Sequence, residues 1–206
     1  MCLRDSPKDS PYQTIQDFLD AAANASTPFT ASVSSPLSAA HAATVVLRER
    51  AGVPIRVVPF EGGSQARNAV AGGHVDCCMA PYWSASNVLE LTRALAIFWP
   101  EDPTTGLWDA PPASEVLPFD MPHLSEPYCA QISAQSATEF PDRHARLVET
   151  FEQTLSHPDF LAGADAQSLT PFVNFLSPEG CQAFIGEYLG LLSEYRDSME
   201  ADLAEM

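Results

Sequence analysis

Basic residues are scarce in this 206-residue sequence, and lysine is almost absent from it. Ten lysine and arginine residues stand against 27 aspartate and glutamate residues, which gives a formal net charge of −17. Lys8 is the single lysine. Phosphate backbones and anionic lipid surfaces repel a chain this acidic, so neither is an expected partner, and no nucleic acid is expected to bind. An acidic surface with little lysine is typical of salt-adapted proteins, although a high-GC genome also favours arginine.

The sequence also lacks long hydrophobic runs. It has no stretch of about 20 apolar residues, so we expect no transmembrane helix. Residues 1–11 are polar and contain no apolar stretch of the kind that signal peptides have. A chain that is complete as given is therefore expected to stay in the cytoplasm.

Motifs of catalysis and of metal or cofactor binding are missing as well. There is no G-x-S-x-G, H-E-x-x-H, Walker or dinucleotide-binding motif, and the five histidines show no ligand spacing. The five cysteines fit neither a disulfide framework nor a zinc site. Cys77 and Cys78 are neighbours in a predicted strand, so we expect small, buried side chains on opposite faces. We predict no enzymatic activity, no cofactor and no metal site.

What the sequence does contain is an alternation of strand and helix patterns in a chain that is 46% hydrophobic. An apolar stripe from Ile15 to Ala23 predicts a helix, with Thr14 and Asp17 forming a capping box at its start. Short apolar runs predict strands at Phe29–Val33, Ile55–Val58, Val75–Ala80 and Arg93–Phe98. Strands that alternate with helices in this order predict an α/β fold with a mostly parallel sheet.

Composition divides the chain into three parts. Residues 1–13 form a polar leader, and residues 14–127 form an α/β lobe that ends in a proline-rich connection from Trp99 to Pro127. Residues 128–206 are expected to hold a crossover strand at Tyr128–Ala134, followed by helices.

Two of the C-terminal helices have clear apolar stripes. One stripe includes Leu147 and Phe151, and the other follows a cap at Ser177 and runs from Cys181 to Met199. We expect the second stripe to be core rather than binding surface.

The stretch from Ile55 to Asp76 predicts a strand, a glycine turn and a short helix. The β-branched strand ends at Pro59, and Gly62–Gly63 allow the chain to turn sharply. Ser64 is predicted to cap the helix, which ends in a left-handed residue at Gly72–Gly73. The free N–H groups at the start of this helix make it a possible anion site.

A second turn, Ser34–Ser38, also leads from a strand into a helix. We predict Ser35 as the helix cap and Pro36 as the first helical residue. The hydroxyls of Ser35 and Ser38 would then lie beside free N–H groups, which suits a carboxylate, although simple capping explains them too. His41 lies one turn further on, where it either contacts a ligand or is packed and hydrogen-bonded.

Several stretches, in this order, resemble the substrate-binding proteins of tripartite tricarboxylate transporters. VPFEGGSQARNAVAGGHVD is similar to the VPYKGG…GGHVD signature of that family, and SSPLSAAHAA resembles its glycine-serine loop followed by a histidine. TIQDFLDAA, RALAIF and LSPEGCQAFI match as well, so the resemblance covers about Pro11 to Tyr195. It implies a periplasmic-binding-protein-like fold whose two lobes close on a small carboxylate outside the cytoplasm.

The resemblance also implies a ligand site on the two turns and after the strand that follows Asp76. Its residues would be Ser35, Ser38, His41, Gly62, Gly63, Ser64, Gln65 and Pro81. Tyr82 and Trp83, which follow Pro81, would either line a pocket or belong to the core.

Some residues depart from the family pattern and weaken the assignment of a dicarboxylate. Glu61 stands where the family has a basic residue. It would repel an anion by about 1 kcal/mol at 4 Å in water, and several times more in a partly dry cleft. Pro36 and Leu37 stand where small glycines are common, which stiffens the first turn. A zwitterionic ligand is therefore an alternative to a carboxylate.

Nothing in the sequence corresponds to the N-terminal half-lobe that precedes TIQDF in the family, so we expect the second lobe to be incomplete. The expected function is that of an extracytoplasmic solute receptor of such a transporter, with impaired carboxylate binding. Its expected partners are transporter membrane subunits or a chain that supplies the missing lobe. The alternatives are an intracellular ligand-sensing or interaction domain on the same fold, and a non-functional truncated gene product.

Overall fold

The chain forms two compact units. The computed structural model describes residues 2–8, 10–81, 88, 90–98, 110–122, 124 and 128–206. Unit 1 comprises Met1–Glu126 and Leu192–Met206, and unit 2 comprises Pro127–Leu191. The last residues thus return to unit 1, whereas we expected them in one part with the rest of the C-terminal segment. Tyr82, Trp83 and about half of the proline-rich connection lie outside the described residues.

A five-stranded sheet in the order β3-β2-β4-β1-β5 forms the centre of unit 1. The strands are β1 (Cys2–Pro7), β2 (Phe29–Val33), β3 (Ile55–Pro59), β4 (Cys77–Ala80) and β5 (Thr92–Ile97). β2 pairs in parallel with β3 and β4, whereas β1 pairs antiparallel with β4 and β5. Four strands therefore run in one direction, and the predicted α/β class with a mostly parallel sheet is confirmed.

The strand β1 corrects the polar leader that we predicted for residues 1–13. Its sequence, CLRDSP, is short and has no apolar alternation, so it carries no strand signal of its own. It lies between β4 and β5, and Cys2 pairs with Ala80 on one side and with Ile97 on the other. Hydrogen bonds to β4 and to β5 hold this strand in the sheet, and both partner strands are distant from it in sequence.

Nine α-helices are found in the described parts of the chain. They are α1 (Ile15–Asn24), α2 (Ala39–Ala51), α3 (Gly63–Ala71), α4 (Ala113–Val116), α5 (Ala134–Glu139), α6 (Pro141–Leu155), α7 (Pro158–Asp165), α8 (Pro178–Glu194) and α9 (Arg196–Glu205). The predicted capping box of α1 is confirmed. The Asp17 N–H donates to Thr14 Oγ1 at 3.1 Å, and the Thr14 N–H donates to Asp17 Oδ2 at 2.9 Å.

The helices α2 and α3 cover opposite faces of the sheet. In the sheet, β3 lies on one side of β2 and β4 lies on the other. The connection from β2 through α2 to β3 and the connection from β3 through α3 to β4 therefore run in opposite directions across the sheet. Right-handed connections then place the two helices on opposite faces. The alternation of side chains in β4 fits this arrangement, because Cys77 and Cys78 point to opposite faces and both are fully buried. Cys78 packs with Ala66 and Val70 of α3.

The helix α2 is buried on all sides over Ala39–Leu47. The sheet strands β2, β3 and β4 contact it on one side, and α9 contacts it on another. Gly52 ends α2 in the left-handed conformation, with φ of 64°, as its position in the sequence indicates.

Unit 2 is helical and has almost no core of its own. Ala164 is the one buried residue among residues 128–191. The crossover strand expected at Tyr128–Ala134 does not form: residues 128–133 are irregular, and Ser133 caps α5 by accepting a hydrogen bond from the Ser136 N–H at 3.0 Å. A strand needs a ladder partner, and the described residues of unit 2 contain no strand to pair with.

The stripe that we expected to be core in the last helix is mostly half-buried. α8 ends at Glu194, and α9 starts at Arg196, so the stripe spans two helices. Met199, in α9, is buried, whereas Ile185, in α8, is 43% exposed, and the other members lie between these extremes. Among the described helices, none is long and apolar enough to cross a lipid bilayer.

Candidate functional site

The carboxyl ends of three parallel strands lie at the same edge of the sheet. Val33, the last residue of β2, pairs with Pro59, the last residue of β3, and the Phe60 N–H donates to the Val33 carbonyl at 3.0 Å. β4, on the other side of β2, ends at Ala80. The two predicted turns and Pro81 therefore follow neighbouring strands at one edge of the sheet.

The first turn, Ser34–Ser38, starts its helix later than we predicted. α2 begins at Ala39, and its cap is Ser38, whose Oγ accepts a hydrogen bond from the His41 N–H at 3.2 Å. Ser35 is not the cap. Its carbonyl accepts a hydrogen bond from Ser38 Oγ at 2.8 Å, and its side chain is exposed. The reason is Leu37, whose left-handed φ of 59° prevents the helix from starting at Pro36.

The second turn also differs from the prediction at its cap. α3 begins at Gly63 after Gly62, whose φ of 156° is rare for residues with a side chain. No side chain caps this helix; Ser64, the predicted cap, instead accepts a hydrogen bond from Arg67 Nη2 at 3.2 Å. The side-chain oxygen of Gln65 accepts one from the Glu61 N–H at 3.2 Å.

The two turns approach each other closely at Gly63. A Cβ atom at this position would lie 3.0 Å from Arg67 Nη1 and 3.9 Å from the Cβ of Ser34, which belongs to the first turn. Any side chain here would therefore press on the guanidinium group. The end of the flexible Arg67 side chain would have to move by a few tenths of an ångström to make room for it.

Arg67 is a candidate that the sequence reasoning missed. Its side chain extends from the middle of α3 back to Ser64 and Gly63 at the start of that helix, and the residue is only 7% exposed. It brings a positive charge to the sheet edge, whereas Glu61 is exposed nearby and negative. The sequence does contain a sign of it, because Arg67 lies beside Ala66 and Ala69 on the otherwise apolar, buried face of α3.

His41 is packed and hydrogen-bonded, the second of the two roles left open for it. It is fully buried, and both ring nitrogens have partners: Nδ1 is 3.1 Å from the Leu37 N, and Nε2 is 3.0 Å from Asp202 Oδ2 in α9. A ligand at the surface of the first turn would thus meet Ser35 and Leu37 before the imidazole.

Other parts of the described chain offer little to a ligand. An open recess of about 310 Å³ lies at the start of α1, between Gln13–Gln16, Ala94–Leu95, Pro111 and Val116, and it includes none of the predicted site residues. Within the described residues, no group of His, Cys, Asp and Glu side chains could hold a metal ion.

The edge therefore combines three features that suit an anion. The first-turn N–H groups of α2 and α3 lack intrahelical acceptors and carry the positive end of each helix dipole. The hydroxyls of Ser35 and Ser64 are on exposed residues, and the guanidinium of Arg67 lies below them. A planar carboxylate can accept hydrogen bonds from groups of this kind.

Comparison with known proteins gives a consistent result for most of the chain. Residues 4–160 match the sequence profile described as "Tripartite tricarboxylate transporter family receptor". No protein of curated function is significantly similar to the chain in sequence.

Solved structures share the fold at low sequence identity. A TctC solute-binding protein from Polaromonas, without ligand, is 17% identical and has a TM-score of 0.62, and the match covers 94% of this chain and 65% of that one. R. palustris Rpa4515, solved with adipate, is 17% identical, with a TM-score of 0.70 and coverage of 98% and 64%. The periplasmic binding protein BugD is 16% identical, with a TM-score of 0.66 and coverage of 98% and 65%. The chain thus spans about two-thirds of the length of these proteins, slightly less in each case.

Proposed function

Since the chain belongs to the tripartite tricarboxylate transporter receptor family, whose profile covers residues 4–160, we propose that it binds a small organic carboxylate as an extracytoplasmic solute receptor. The proposal is one of binding without catalysis. Its ligand residues are Ser35, Ser38, Gly62, Gly63, Ser64, Gln65 and Pro81, joined by Arg67.

The observation that carries this proposal is the meeting of the two turns at Gly63. Ser34, Gly63 and Arg67 lie together there, and α2 and α3 both begin after neighbouring strands at this edge of the sheet. A carboxylate is the favoured ligand because two helix N-termini and a guanidinium each attract negative charge. Rpa4515, a protein of the same fold, was solved with adipate, which makes adipate a suitable probe.

We propose weak binding by the chain alone, no tighter than millimolar. In a clamshell receptor, affinity comes from enclosing the ligand between two lobes, and this chain spans about two-thirds of the length of its structural relatives. The exposed carboxylate of Glu61 weakens the binding of an anion further.

Unit 2 supports a second partner, a polypeptide that completes its lobe. Leu147 and Phe151 of α6 are 56% and 42% exposed, and Ile185 and Leu189 of α8 are exposed too. Apolar side chains are stabilised by roughly 25 cal/mol per Å² that another surface covers. The proposed partner is a further part of the receptor, supplied by the same or another chain, and the transporter membrane subunits would bind the complete receptor.

The direct test is a titration of adipate into the chain, followed by the backbone amide signals of unit 1. We expect shifts at Ser35–Ser38 and Gly62–Gln65 at millimolar adipate. Arg67→Gln is expected to weaken the binding about tenfold, because a hydrogen bond to a charged group contributes roughly 1.5–3 kcal/mol. Arg146→Gln, which removes an exposed charge in α6, serves as the control. Absence of shifts at both turns, or equal weakening by the two variants, would reject the proposed site.

A further inference from the structure

Leu37 has a backbone conformation that its side chain does not favour. Its φ of 59° lies in the left-handed region, and it belongs to the turn that leads into α2. For a residue with a Cβ this conformation is sterically strained, and glycine is the residue that adopts it routinely. Since Leu37 is 57% exposed, burial of its side chain does not explain the conformation. Another interaction must hold the turn in this shape.

The imidazole of His41 provides that interaction. The Leu37 N–H donates to His41 Nδ1 at 3.1 Å, so this nitrogen carries no proton. The proton of the neutral ring is then on Nε2, which donates to Asp202 Oδ2 at 3.0 Å. A carboxylate that accepts from one ring nitrogen determines the tautomer and orientation of the ring and leaves the other nitrogen as an acceptor. Asp202 thus sets the state of the ring that holds Leu37.

Asp202 is itself held firmly, although it lies 161 residues after His41. Its second oxygen, Oδ1, accepts a hydrogen bond from Arg48 Nη1 at 2.7 Å, and its side chain is 11% exposed. Arg48 Nη2 also donates to the Ser198 carbonyl at 3.3 Å, and Ser198 Oγ is 2.9 Å from Glu49 Oε1. These bonds attach α9 to α2 in one register, which places the carboxylate at the ring.

From this connected path we infer that Asp202 is a positioning residue for the Ser34–Ser38 turn and acts on it through His41. Only one consequence rests on the proposed function, namely that the C-terminal helix α9 determines the geometry of a turn that binds the ligand. The path itself, from Asp202 to His41 to the Leu37 N–H, is a property of the ligand-free protein.

Amide hydrogen exchange of the ligand-free full chain tests the path directly. Asp202→Ala is expected to accelerate exchange of the Leu37 N–H at least about tenfold, because the ring loses its fixed orientation. The Phe60 N–H, which donates to the Val33 carbonyl at the same edge, should change far less. Glu205→Ala removes a charge from the same helix and is expected to leave both rates unchanged. The nitrogen chemical shifts of His41 should indicate the Nε2–H tautomer in the unchanged chain and a mixture in Asp202→Ala.

A rescue variant separates positioning from general stability. Leu37→Gly adopts a positive φ without the steric penalty, so in this background the effect of Asp202→Ala on the turn should be several-fold smaller. If Asp202→Ala does not fold, Asp202→Asn, which keeps the shape but is a weaker acceptor, should show the same selective acceleration to a smaller degree.

Two outcomes would overturn the inference. One is equal acceleration at Leu37 and Phe60, which would mean that Asp202 only stabilises unit 1. The other is an unchanged Leu37 rate in every Asp202 variant that folds. Failure of adipate to bind the unchanged chain would count against the proposed function instead, since the exchange rates are measured without it.

Discussion

Asp76 accepts two hydrogen bonds from Thr30 through a single oxygen: the backbone N–H and the hydroxyl of Thr30 both lie 2.7 Å from Asp76 Oδ2. The Asp76 N–H in turn is 3.0 Å from the Thr30 carbonyl. These bonds join the beginning of β2 to the residues before β4, at the end of the sheet opposite the two turns. Asp76 therefore connects strands and lies at the end of the sheet away from the candidate site.

Asp76→Ala is expected to reduce the free energy of unfolding by roughly 2 kcal/mol, because a partly buried N–H loses a charged acceptor. The weak binding of adipate should persist under conditions where the variant is folded. Urea unfolding followed by circular dichroism measures the first effect. Asp120→Ala, an exposed aspartate of unit 1, is the control, and an equal loss in both variants would contradict the structural role.

The capping box of α1 predicts a pH-dependent contribution to stability. Hydrogen bonding to the Thr14 side chain, followed by bonds from the backbone N–H groups of Gln13 and Thr14, lowers the pKa of Asp17 from its ordinary value of 3.8. A lowered folded-state pKa stabilises the protein above the unfolded value, and the contribution is lost as the pH falls through the folded value. Asp17→Asn should therefore be less stable than the unchanged chain near neutral pH.

The difference should shrink as the pH is lowered below about 4. Urea unfolding over a series of pH values is the measurement, with Asp120→Asn as a carboxylate outside the box. A stability difference between Asp17→Asn and the unchanged chain that stays constant with pH would show that the carboxylate charge plays no part.

Glu61→Gln is expected to tighten the binding of adipate about fivefold. A like charge about 4 Å from the ligand corresponds to about 1 kcal/mol in water. Glu152→Gln removes the same charge from α6 and should leave the affinity unchanged, so it controls for net charge. If instead Glu61→Gln weakens the binding of adipate, Glu61 does not repel the ligand, and the proposed position of the carboxylate beside it is wrong.

The exposed face of unit 2 predicts self-association of the chain when it is studied alone. Leu147 and Phe151 lie one turn apart on α6 and are both exposed, so two copies can bury these side chains against each other. Light scattering should show species larger than a monomer, and the double variant Leu147→Gln, Phe151→Gln should shift the mixture toward monomer. Thr150→Gln on the same helix is the control. If light scattering shows that the unchanged chain is a monodisperse monomer, the prediction of self-association is wrong.

The sequence predicts the part of unit 1 whose signals are local. β2 and β3 follow from short apolar runs, the left-handed residue Gly52 follows from its place after α2, and the capping box of α1 follows from the spacing of Thr14 and Asp17. In each case neighbouring residues supply the physical cause, so the pattern is visible without the fold.

The features that the sequence does not reveal depend on distant partners. β1 forms because β4 and β5 flank it, and the ring state of His41 depends on Asp202. The helix α2 begins at Ala39 rather than at the predicted Pro36 because Leu37 adopts the left-handed conformation. A leucine in the sequence does not indicate that conformation. In unit 2, Tyr128–Ala134 has the composition of a strand, but it forms none because no strand lies beside it among the described residues.

The pairing of β1 has a consequence for how the protein is made. The backbone of Cys2 can be paired only once Ala80 and Ile97 have been synthesised, and α9, which packs on α2, is synthesised long after α2. A nascent chain can therefore build β2, α2 and β3 early, but the centre of the sheet and the cover over His41 must form late. Unit 1 is thus expected to complete its native fold only after α9 has left the ribosome, with the edge of β4 and one side of α2 open to chaperones until then.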